Sequence, residues 1–485
     1  MLKFLVVIFC GCFSICYGSL FSQKNEIRHF DNLDGLWTFV REPFDSNGIG
    51  IQNQWYKKDL SAFKNATVMP VPCAYNELSA EKELREHLGW VWYQTSFYQS
   101  KFDHHLLNVL KFESVQYYSR IYLNGEFIGE NIGGHLPFEF EIEPFPHRYG
   151  DASLYVFEIK LNNVPKGKTI DIYRETFGFR TVSLTENNIL INGKIFYCIG
   201  FGMHEDFDLF GRGFNQVVMT KDLNMLEWMN GNCYRTSHYP YSEERAYEAD
   251  RRGIVVIAET PAVGLEFFHK NILKLHQKML LDLFKRDHRH PSIVMWSLAN
   301  EPRTSEGISR EYFNALINQI HALDHSRPAT IVFSVSQFAE KVADLVDLIC
   351  LNRYYGWYIN LGDTESINGS LVGDVIGWRK KFGKPMILSE YGADTIEGFS
   401  AEPSVSFSVQ YQVELLSKTH EAIDFLRKSG NLAGEMIWNF ADFMTDQTLT
   451  RVIGNHKGVL TRNRQPKMAA YLLKYRYEKL SPPQL

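Results

Sequence analysis

Cysteine is scarce in this sequence, with seven among 485 residues. Three of the seven lie in a short hydrophobic leader, and the other four are Cys73, Cys198, Cys233 and Cys350. These four lack the C-x-x-C spacing of metal-binding or redox pairs. The pattern therefore argues against a metal site and against a dense disulfide framework, and we expect buried free thiols.

An excess of one charge is also missing. The chain has 51 basic and 56 acidic residues, which gives a formal net charge of −5. Such a balance provides no field that would attract nucleic acid or an anionic membrane. Internal repeats and low-complexity tracts are absent as well, apart from the leader and the last few residues. With 45% hydrophobic and 22% charged residues, the composition is that of an ordinary soluble globular protein.

Long hydrophobic runs are missing except at the N-terminus. Residues 4–16 are apolar, follow a lysine and precede small residues. This run is too short to cross a bilayer and has the order of a secretory signal peptide. We therefore predict a signal peptide over residues 1–18, a mature chain without a membrane span, and passage through the secretory pathway. Two glycosylation sequons, at Asn65 and Asn368, agree with this prediction.

Short β-like segments fill the first part of the mature chain. They combine β-branched and aromatic residues with alternating polarity, and Asn124-Gly125 is a strong hairpin signal. Several such strands separated by turns predict a β-sandwich or jelly-roll domain over residues 19–165. The segments with this pattern are 34–39, 89–97, 118–129 and 155–161.

From residue 194 onward, apolar strands alternate with amphipathic helices. Eight such βα units in order predict a TIM (β/α)8 barrel over residues 194–485, and catalytic groups of these barrels lie at the C-terminal ends of the strands. Glu301 follows the fourth strand and Glu390 ends the seventh. The predicted strands are 194–202, 232–238, 254–259, 293–298, 330–335, 346–351, 385–390 and 434–440.

Two carboxylates at one barrel mouth are the minimum set for glycosidic bond cleavage. One must be protonated and donate to the leaving oxygen, and the other must be ionised to attack the anomeric carbon or to activate water. A separation of about 5 to 5.5 Å supports retention of configuration and about 6.5 to 9.5 Å supports inversion. Glu301 and Glu390 are candidates for this pair, and the sequence leaves both outcomes open.

Several motifs together closely resemble those of the β-glucuronidases in glycoside hydrolase family 2. The resemblance covers most of the mature chain and implies an exo-acting, retaining enzyme that releases terminal β-D-glucuronic acid from glycoconjugates or glycosaminoglycans. It implies no cofactor and no metal, a lysosomal or extracellular destination, and a homo-oligomer. The motifs that carry it include W-S-L-A-N-E-P (296–302), N-R-Y-Y-G-W-Y (352–358), S-E-Y-G-A-D (389–394), W-N-F-A-D-F-M-T (438–445) and G-N-H-K-G-V-L-T-R-N-R-Q-P-K (454–467).

The resemblance also implies roles for individual residues. Glu301 would be the general acid/base and Glu390 the nucleophile, with Tyr354 donating a hydrogen bond to the nucleophile. Asn300 would contact the 2-hydroxyl of the sugar, and Trp438 would form the floor of the sugar site. The residues expected to line the mouth near the first two strands, as substrate contacts or as scaffolding, are His204, Glu205, Asp206, Arg235 and His238.

Another group of residues would select the substrate. A uronic acid carries a carboxylate that needs cationic or amide donors, and Arg and Lys supply charge-assisted hydrogen bonds. The resemblance assigns Asn455 and Lys457 to this carboxylate, with Arg451 and Tyr358 nearby. Other glycosidases of the same family lack this need, and such a glycosidase is one alternative.

The sequence departs from the family pattern at two places. Between Asn163 and Asp171 it has only a short connection, where family members continue with further jelly-roll strands, a loop whose Asp reaches the substrate, and an immunoglobulin-like sandwich of roughly 100 residues. We therefore predict that residues 166–193 are a remnant of that sandwich. Ala258 replaces an Asp of the relatives, which removes a polar contact. These departures leave a second alternative, a catalytically impaired relative that binds glycans or has no enzymatic role.

Overall fold

The structure is a computed structural model that describes residues 30–44, 46, 48–97, 108–142, 178 and 180–480. It comprises an antiparallel β module before residue 143 and a barrel after residue 197. The predicted signal peptide, the strand expected at 155–161 and the first part of the segment 166–193 lie outside the described residues.

The N-terminal module consists of short antiparallel strands. The hairpin predicted at Asn124-Gly125 is confirmed, since both residues have positive φ, 51° and 85°, as a tight two-residue turn requires. Single-turn helices α1 (Ile49–Gln52) and α2 (Lys82–Arg85) lie between strands. The sheets are β2-β1-β3, β4-β7 and β5-β6, formed by β1 (Gly35–Arg41), β2 (Thr67–Val71), β3 (Val91–Gln94), β4 (Asn108–Phe112), β5 (Tyr118–Leu123), β6 (Glu126–Ile132) and β7 (Phe138–Ile142).

A small antiparallel sheet leads into the barrel. Its strands are β8 (Val182–Leu184), β9 (Ile189–Ile191) and β10 (Lys194–Phe196), and their apolar side chains pack against residues near the start of the barrel strands. The prediction of one strand over 194–202 is therefore wrong. The chain pairs with β9 up to Phe196, and the first barrel strand begins only at Cys198.

The predicted eight-stranded parallel barrel is confirmed. Each strand is parallel to its neighbours, and the last pairs with the first. All eight residues of the fourth barrel strand are buried, because a parallel barrel covers both faces of a strand. The barrel strands are β11 (Cys198–Gly202), β14 (Cys233–Arg235), β15 (Val255–Glu259), β16 (Ile293–Asn300), β17 (Ala329–Phe333), β18 (Leu348–Asn352), β19 (Met386–Glu390) and β20 (Gly434–Ile437), with a hairpin of β12 (Asp206–Phe207) and β13 (Gly211–Arg212) after β11.

Helices follow every barrel strand except the fifth, so the prediction of eight βα units is wrong by one helix. Residues 334–347, after β17, form turns without a helix. Side chains satisfy the backbone there: the Arg353 guanidinium donates to the carbonyls of residues 333–335, and Glu340 accepts from Val342 and Ala343. The helices are α3 (Gln216–Trp228), α4 (Glu243–Arg252), α5 (Lys270–Asp287), α6 (Gly307–Leu323), α7 (Ile367–Phe382), α8 (Val409–Lys428) and α9 (Met468–Leu480).

A disulfide joins the first two barrel strands. Cys198 and Cys233 are the first residues of β11 and β14, and their Cα atoms are 5.8 Å apart. The expectation of free thiols is therefore wrong for these two residues, because the crossover through α3 makes β14 the parallel neighbour of β11. Cys73 and Cys350 are free.

The N-terminal module contacts the barrel beside its mouth. Arg462 donates to Asp206 of the β12–β13 hairpin at 2.6 Å and to Glu77 of the module at 3.2 Å. The ring of His135 stacks on Tyr239, with 5.3 Å between the ring centres. No helix in the described ranges is long and apolar enough to cross a membrane.

Candidate active site

The two candidate glutamates lie at the same end of the barrel. Glu390 is the last residue of β19, and Glu301 directly follows β16. Asn300 ends β16 and Asn352 ends β18, where the Cα of Asn352 pairs with that of Glu390. The parallel strands thus carry four polar side chains to one mouth, as a TIM barrel does.

Glu301 has a backbone conformation that side chains rarely adopt. Its φ is +49°, in the left-handed region, and its amide donates to the carbonyl of Val332 at 2.9 Å. The side chain accepts a hydrogen bond of 2.7 Å from Asn352 Nδ2. Burial, with the negative charge of Glu390, raises the pKa of the Glu301 carboxyl. Glu301 is therefore suited to carry a proton.

Glu390 has a different environment. Its Oε1 accepts from Arg235 Nη2 and its Oε2 from the hydroxyl of Tyr354. Burial, with the charge of Glu390, holds the pKa of Tyr354 well above its ordinary value, so Tyr354 remains a hydrogen-bond donor. A guanidinium and a phenol directed at both oxygens suit a carboxylate that is charged and oriented.

Arg235 connects the polar groups of the lumen. Its Nη1 donates to both oxygens of Glu259, at 2.7 and 2.9 Å, and lies 3.4 Å from Asn300 Oδ1. Its Nη2 donates to Glu390. We expected Arg235 to line the mouth as a substrate contact or as scaffolding, and the structure places it fully buried between these groups.

Aromatic rings form one wall of the site. The ring of His238 stacks on Trp438, with 4.8 Å between centres and 16° between planes, and His204 meets Trp438 edge-on at 5.4 Å. The hydroxyl oxygen of Tyr239 lies 3.2 Å from His204 Nδ1. Burial lowers the pKa of His204 well below its ordinary value, so its ring is neutral. An indole face beside neutral polar rings suits the apolar face of a sugar.

The predicted uronate-binding residues come together on one side. Lys457 is buried, its Nζ lies 2.9 Å from the Tyr358 hydroxyl, and it forms an ion pair with Asp394. Arg451 interacts with the same tyrosine. Asn455 Oδ1 accepts from the backbone amide of Lys457 at 3.1 Å. A lysine and an arginine therefore converge at Tyr358, and the lysine has an anionic partner.

Glu205 and Asp206 belong to structural networks. Glu205 accepts from Arg245 at 3.2 Å and from Ser242 at 2.9 Å, and Asp206 accepts from Arg462. The sequence left two roles open for these residues, substrate contact and scaffolding, and the contacts described are those of scaffolding. No group of His, Cys, Asp or Glu side chains able to hold a metal ion occurs among the residues that the structure describes.

Two family models match the chain. "Glycosyl hydrolases family 2, TIM barrel domain" matches residues 182–481, and "Glycosyl hydrolases family 2, sugar binding domain" matches residues 30–188. The barrel match alone covers more than half of the chain. The chain belongs to glycoside hydrolase family 2. The sugar-binding match and the antiparallel sheets agree with the predicted N-terminal sugar-binding-like jelly roll.

Relatives of this family 2 hydrolase include mammalian and bacterial proteins. The β-glucuronidase of Pongo abelii is 34% identical over 606 residues, covering 96% of this chain and 93% of that protein, and the β-glucuronidase of Homo sapiens is 33% identical over the same shares. The solved β-glucuronidase of an uncultured Clostridium sp. is 34% identical, with a TM-score of 0.86, and covers 96% of this chain and 100% of that one. A Ruminococcus gnavus β-glucuronidase in complex with D-glucuronic acid is 29% identical, with a TM-score of 0.84, and covers 95% and 100%.

Three buried residues of this family 2 site were not among our candidates. Glu259 and Asn352 are the last residues of β15 and β18, so polar residues at the ends of apolar strands were the signal that could have revealed them. Asp394 lies within a motif that carried the resemblance, but nothing in the sequence pairs it with Lys457. Ala258, where an Asp was expected, packs in the apolar core outside the lumen.

Proposed function

We propose that this family 2 hydrolase is a retaining exo-β-glucuronidase. The observation that carries the proposal is the contrast between two glutamates at one barrel mouth. Glu301 is half-buried with a raised pKa, and Glu390 receives hydrogen bonds from Arg235 and Tyr354. A carboxyl group with a raised pKa suits the acid, and a carboxylate that accepts from a guanidinium and a phenol suits the nucleophile.

In the proposed mechanism Glu390 attacks the anomeric carbon while Glu301 protonates the glycosidic oxygen. The carbon–oxygen bond to the leaving group breaks, and a glycosyl ester on Glu390 forms. Glu301, now ionised, takes a proton from water, which attacks the same carbon and releases the sugar from Glu390. Two displacements at one carbon retain its configuration. In this mechanism Asn300 forms a hydrogen bond with the 2-hydroxyl of the sugar, and this bond strengthens as positive charge develops on the sugar.

The substrate class follows from Lys457, Arg451 and Tyr358, which we propose bind the carboxylate of glucuronic acid, together with Asn455. Charge-assisted hydrogen bonds from these groups favour a uronic acid over a neutral sugar. The names of the relatives support this class, since all those described above are β-glucuronidases. Trp438 and His204 would contact the sugar ring.

We further propose the domain division 1–18, 19–165, 166–193 and 194–485, with a signal peptide and a shortened sandwich. The two family matches overlap at residues 182–188 and so leave no room for a complete sandwich between them. The alignment with the Pongo abelii relative runs over 606 residues although this chain has 485, which also supports a deletion. Glycosylation at Asn65 and Asn368, both exposed, a lysosomal or extracellular location and a homo-oligomer complete the proposal.

One assay tests the function. Purified protein is given 4-nitrophenyl β-D-glucuronide, β-D-glucoside and β-D-galactoside, with Glu390→Gln as the control. We expect hydrolysis of the glucuronide alone and its loss in the control. Equal rates on the glucoside would refute uronate selection. An inactive wild type that still binds glucuronic acid in calorimetric titration would support the impaired, glycan-binding alternative.

A further inference from the structure

Glu259 is the most completely hydrogen-bonded carboxylate of the lumen, and the proposed mechanism does not use it. It ends β15, and it is fully buried. Both of its oxygens accept from Arg235, at 2.7 and 2.9 Å. The same carboxylate lies 3.2 Å from His238 Nδ1 and accepts from Ser297 Oγ at 2.7 Å. These partners come from the second strand, the loop after it and the fourth strand.

The contacts of Arg235 show what Glu259 does to the guanidinium. The Nε atom of Arg235 is buried and has no hydrogen-bond partner in the part of the chain that the structure describes. The terminal nitrogens therefore set the orientation of the group. Nη1 donates to both oxygens of Glu259 and Nη2 donates to Glu390, so the contact with Glu259 directs the other terminal nitrogen to Glu390.

His238 extends the influence of Glu259 to the sugar wall. Its ring lies between the carboxylate and Trp438, on which it stacks. A carboxylate that accepts from one ring nitrogen fixes both the tautomer and the orientation of an imidazole. One side chain thus orients the arginine that contacts Glu390 and the histidine that packs on Trp438.

We propose that Glu259 is a positioning residue for glycoside hydrolysis, which orients Arg235 toward Glu390 and His238 against Trp438. This role rests on the proposed function. Glu259 divides the positive charge of Arg235 between two carboxylates, so that Glu390 is oriented without being fully neutralised. Without it, Arg235 is free to turn both terminal nitrogens to Glu390, which would weaken the nucleophile, and His238 loses its acceptor.

The test compares two buried glutamates that pair with arginine in the same barrel. Glu435 on β20 is also fully buried and accepts from Arg476 at 2.6 and 2.9 Å, but its other partner is Tyr197, away from the catalytic pair. Glu259→Gln, Glu259→Asp and Glu435→Gln are measured as full-length protein for Tm, kcat, KM and the pH profile of kcat/KM on 4-nitrophenyl β-D-glucuronide.

Removal of the Glu259 charge affects every titratable group near it. The nearby pKa values of carboxyl groups fall when a negative charge is lost, and both limbs of the pH profile move to lower pH by about one unit. A misdirected nucleophile lowers kcat roughly 100-fold, with a smaller change in KM. The charged and titratable groups that face Glu259, or interact electrostatically with it or with its partner Arg235, include Arg235, His204, His238, Tyr241, Glu301, Cys350 and Glu390.

The outcomes separate positioning from stability. We expect Glu259→Gln to lose kcat with a displaced profile, Glu259→Asp to keep the wild-type profile, and Glu435→Gln to lower Tm alone. The proposal is refuted if Glu259→Gln keeps the wild-type profile and loses activity only in proportion to its folded fraction. A wild type without activity would instead refute the proposed function on which the role rests.

Discussion

Asn352 donates a hydrogen bond of 2.7 Å to Glu301, although its neighbour across the strands is Glu390. Its Oδ1 accepts from Ser389 Oγ at 2.9 Å, which fixes the amide so that its nitrogen faces Glu301. The residue beside the nucleophile therefore orients the acid. One amide side chain therefore contacts both the proposed acid and the strand that carries the proposed nucleophile.

Asn352→Ala is expected to raise the pKa of Glu301. The hydrogen bond from Asn352 stabilises the ionised form of Glu301, so its loss raises the pH at which Glu301 releases its proton. The alkaline limb of the kcat/KM profile moves to higher pH by about one to two units, as a hydrogen bond to a charged group is worth about 1.5 to 3 kcal/mol. A profile measured from pH 3 to 9 checks this, and an unchanged or downward alkaline limb would contradict it.

Glu301→Gln is expected to discriminate between leaving groups. A 4-nitrophenolate leaves without a proton, whereas an alkyl alcohol needs one, so loss of the acid slows a methyl β-glucuronide by about 10² to 10⁴ in the first step and the nitrophenyl substrate much less. Added azide attacks without base assistance and should restore turnover of the nitrophenyl substrate. Proton NMR of the azide product, which should have the β configuration, tests retention. An α product would contradict it.

Lys457→Ala is expected to remove the preference for glucuronide. The loss amounts to about 2 to 5 kcal/mol in kcat/KM for the glucuronide, because a buried charge partner is removed, and leaves any glucoside rate unchanged. Asp394 is then buried without its cation. The double variant with Asp394→Asn removes this unpaired buried charge and is the matched control for stability. Selectivity that survives in the double variant would show that Arg451 suffices.

Replacement of both Cys198 and Cys233 by Ala is expected to lower stability and not the rate. The disulfide closes a loop with a sequence separation of 35 residues, for which the chain-entropy relation gives about 4 kcal/mol of unfolding free energy. Calorimetry of the variant, and of wild type with reductant, measures the fall in Tm. Cys73→Ser is the control. A fall in kcat at 25 °C with Tm unchanged would contradict the prediction.

Periodicity in the sequence was sufficient to predict the barrel and the approximate positions of its strands, although most strands end one to three residues from the predicted position. Eight apolar runs become eight strands, and Glu301 and Glu390 lie where strand ends predict. These features depend on local pattern, since the length and hydrophobicity of each apolar run predict the length and burial of its strand.

Contacts across the lumen were not predictable in the same way. The bond from Arg235 to Glu259 and the disulfide between Cys198 and Cys233 depend on which inward side chains share one level of the closed barrel. The missing fifth helix depends on Arg353, which directly follows the next strand and satisfies the carbonyls of the loop. Such relations arise from register between distant strands, which no single segment encodes.

The left-handed backbone of Glu301 places conformational strain at the proposed acid/base. A side chain in this conformation costs about 1 to 2 kcal/mol relative to glycine, and burial of its carboxyl adds to the burden. We therefore expect Glu301→Gly to be inactive and to have a higher Tm than the wild type. Selection for stability alone, in the laboratory or in a lineage that no longer needs the reaction, would therefore favour early replacement of Glu301.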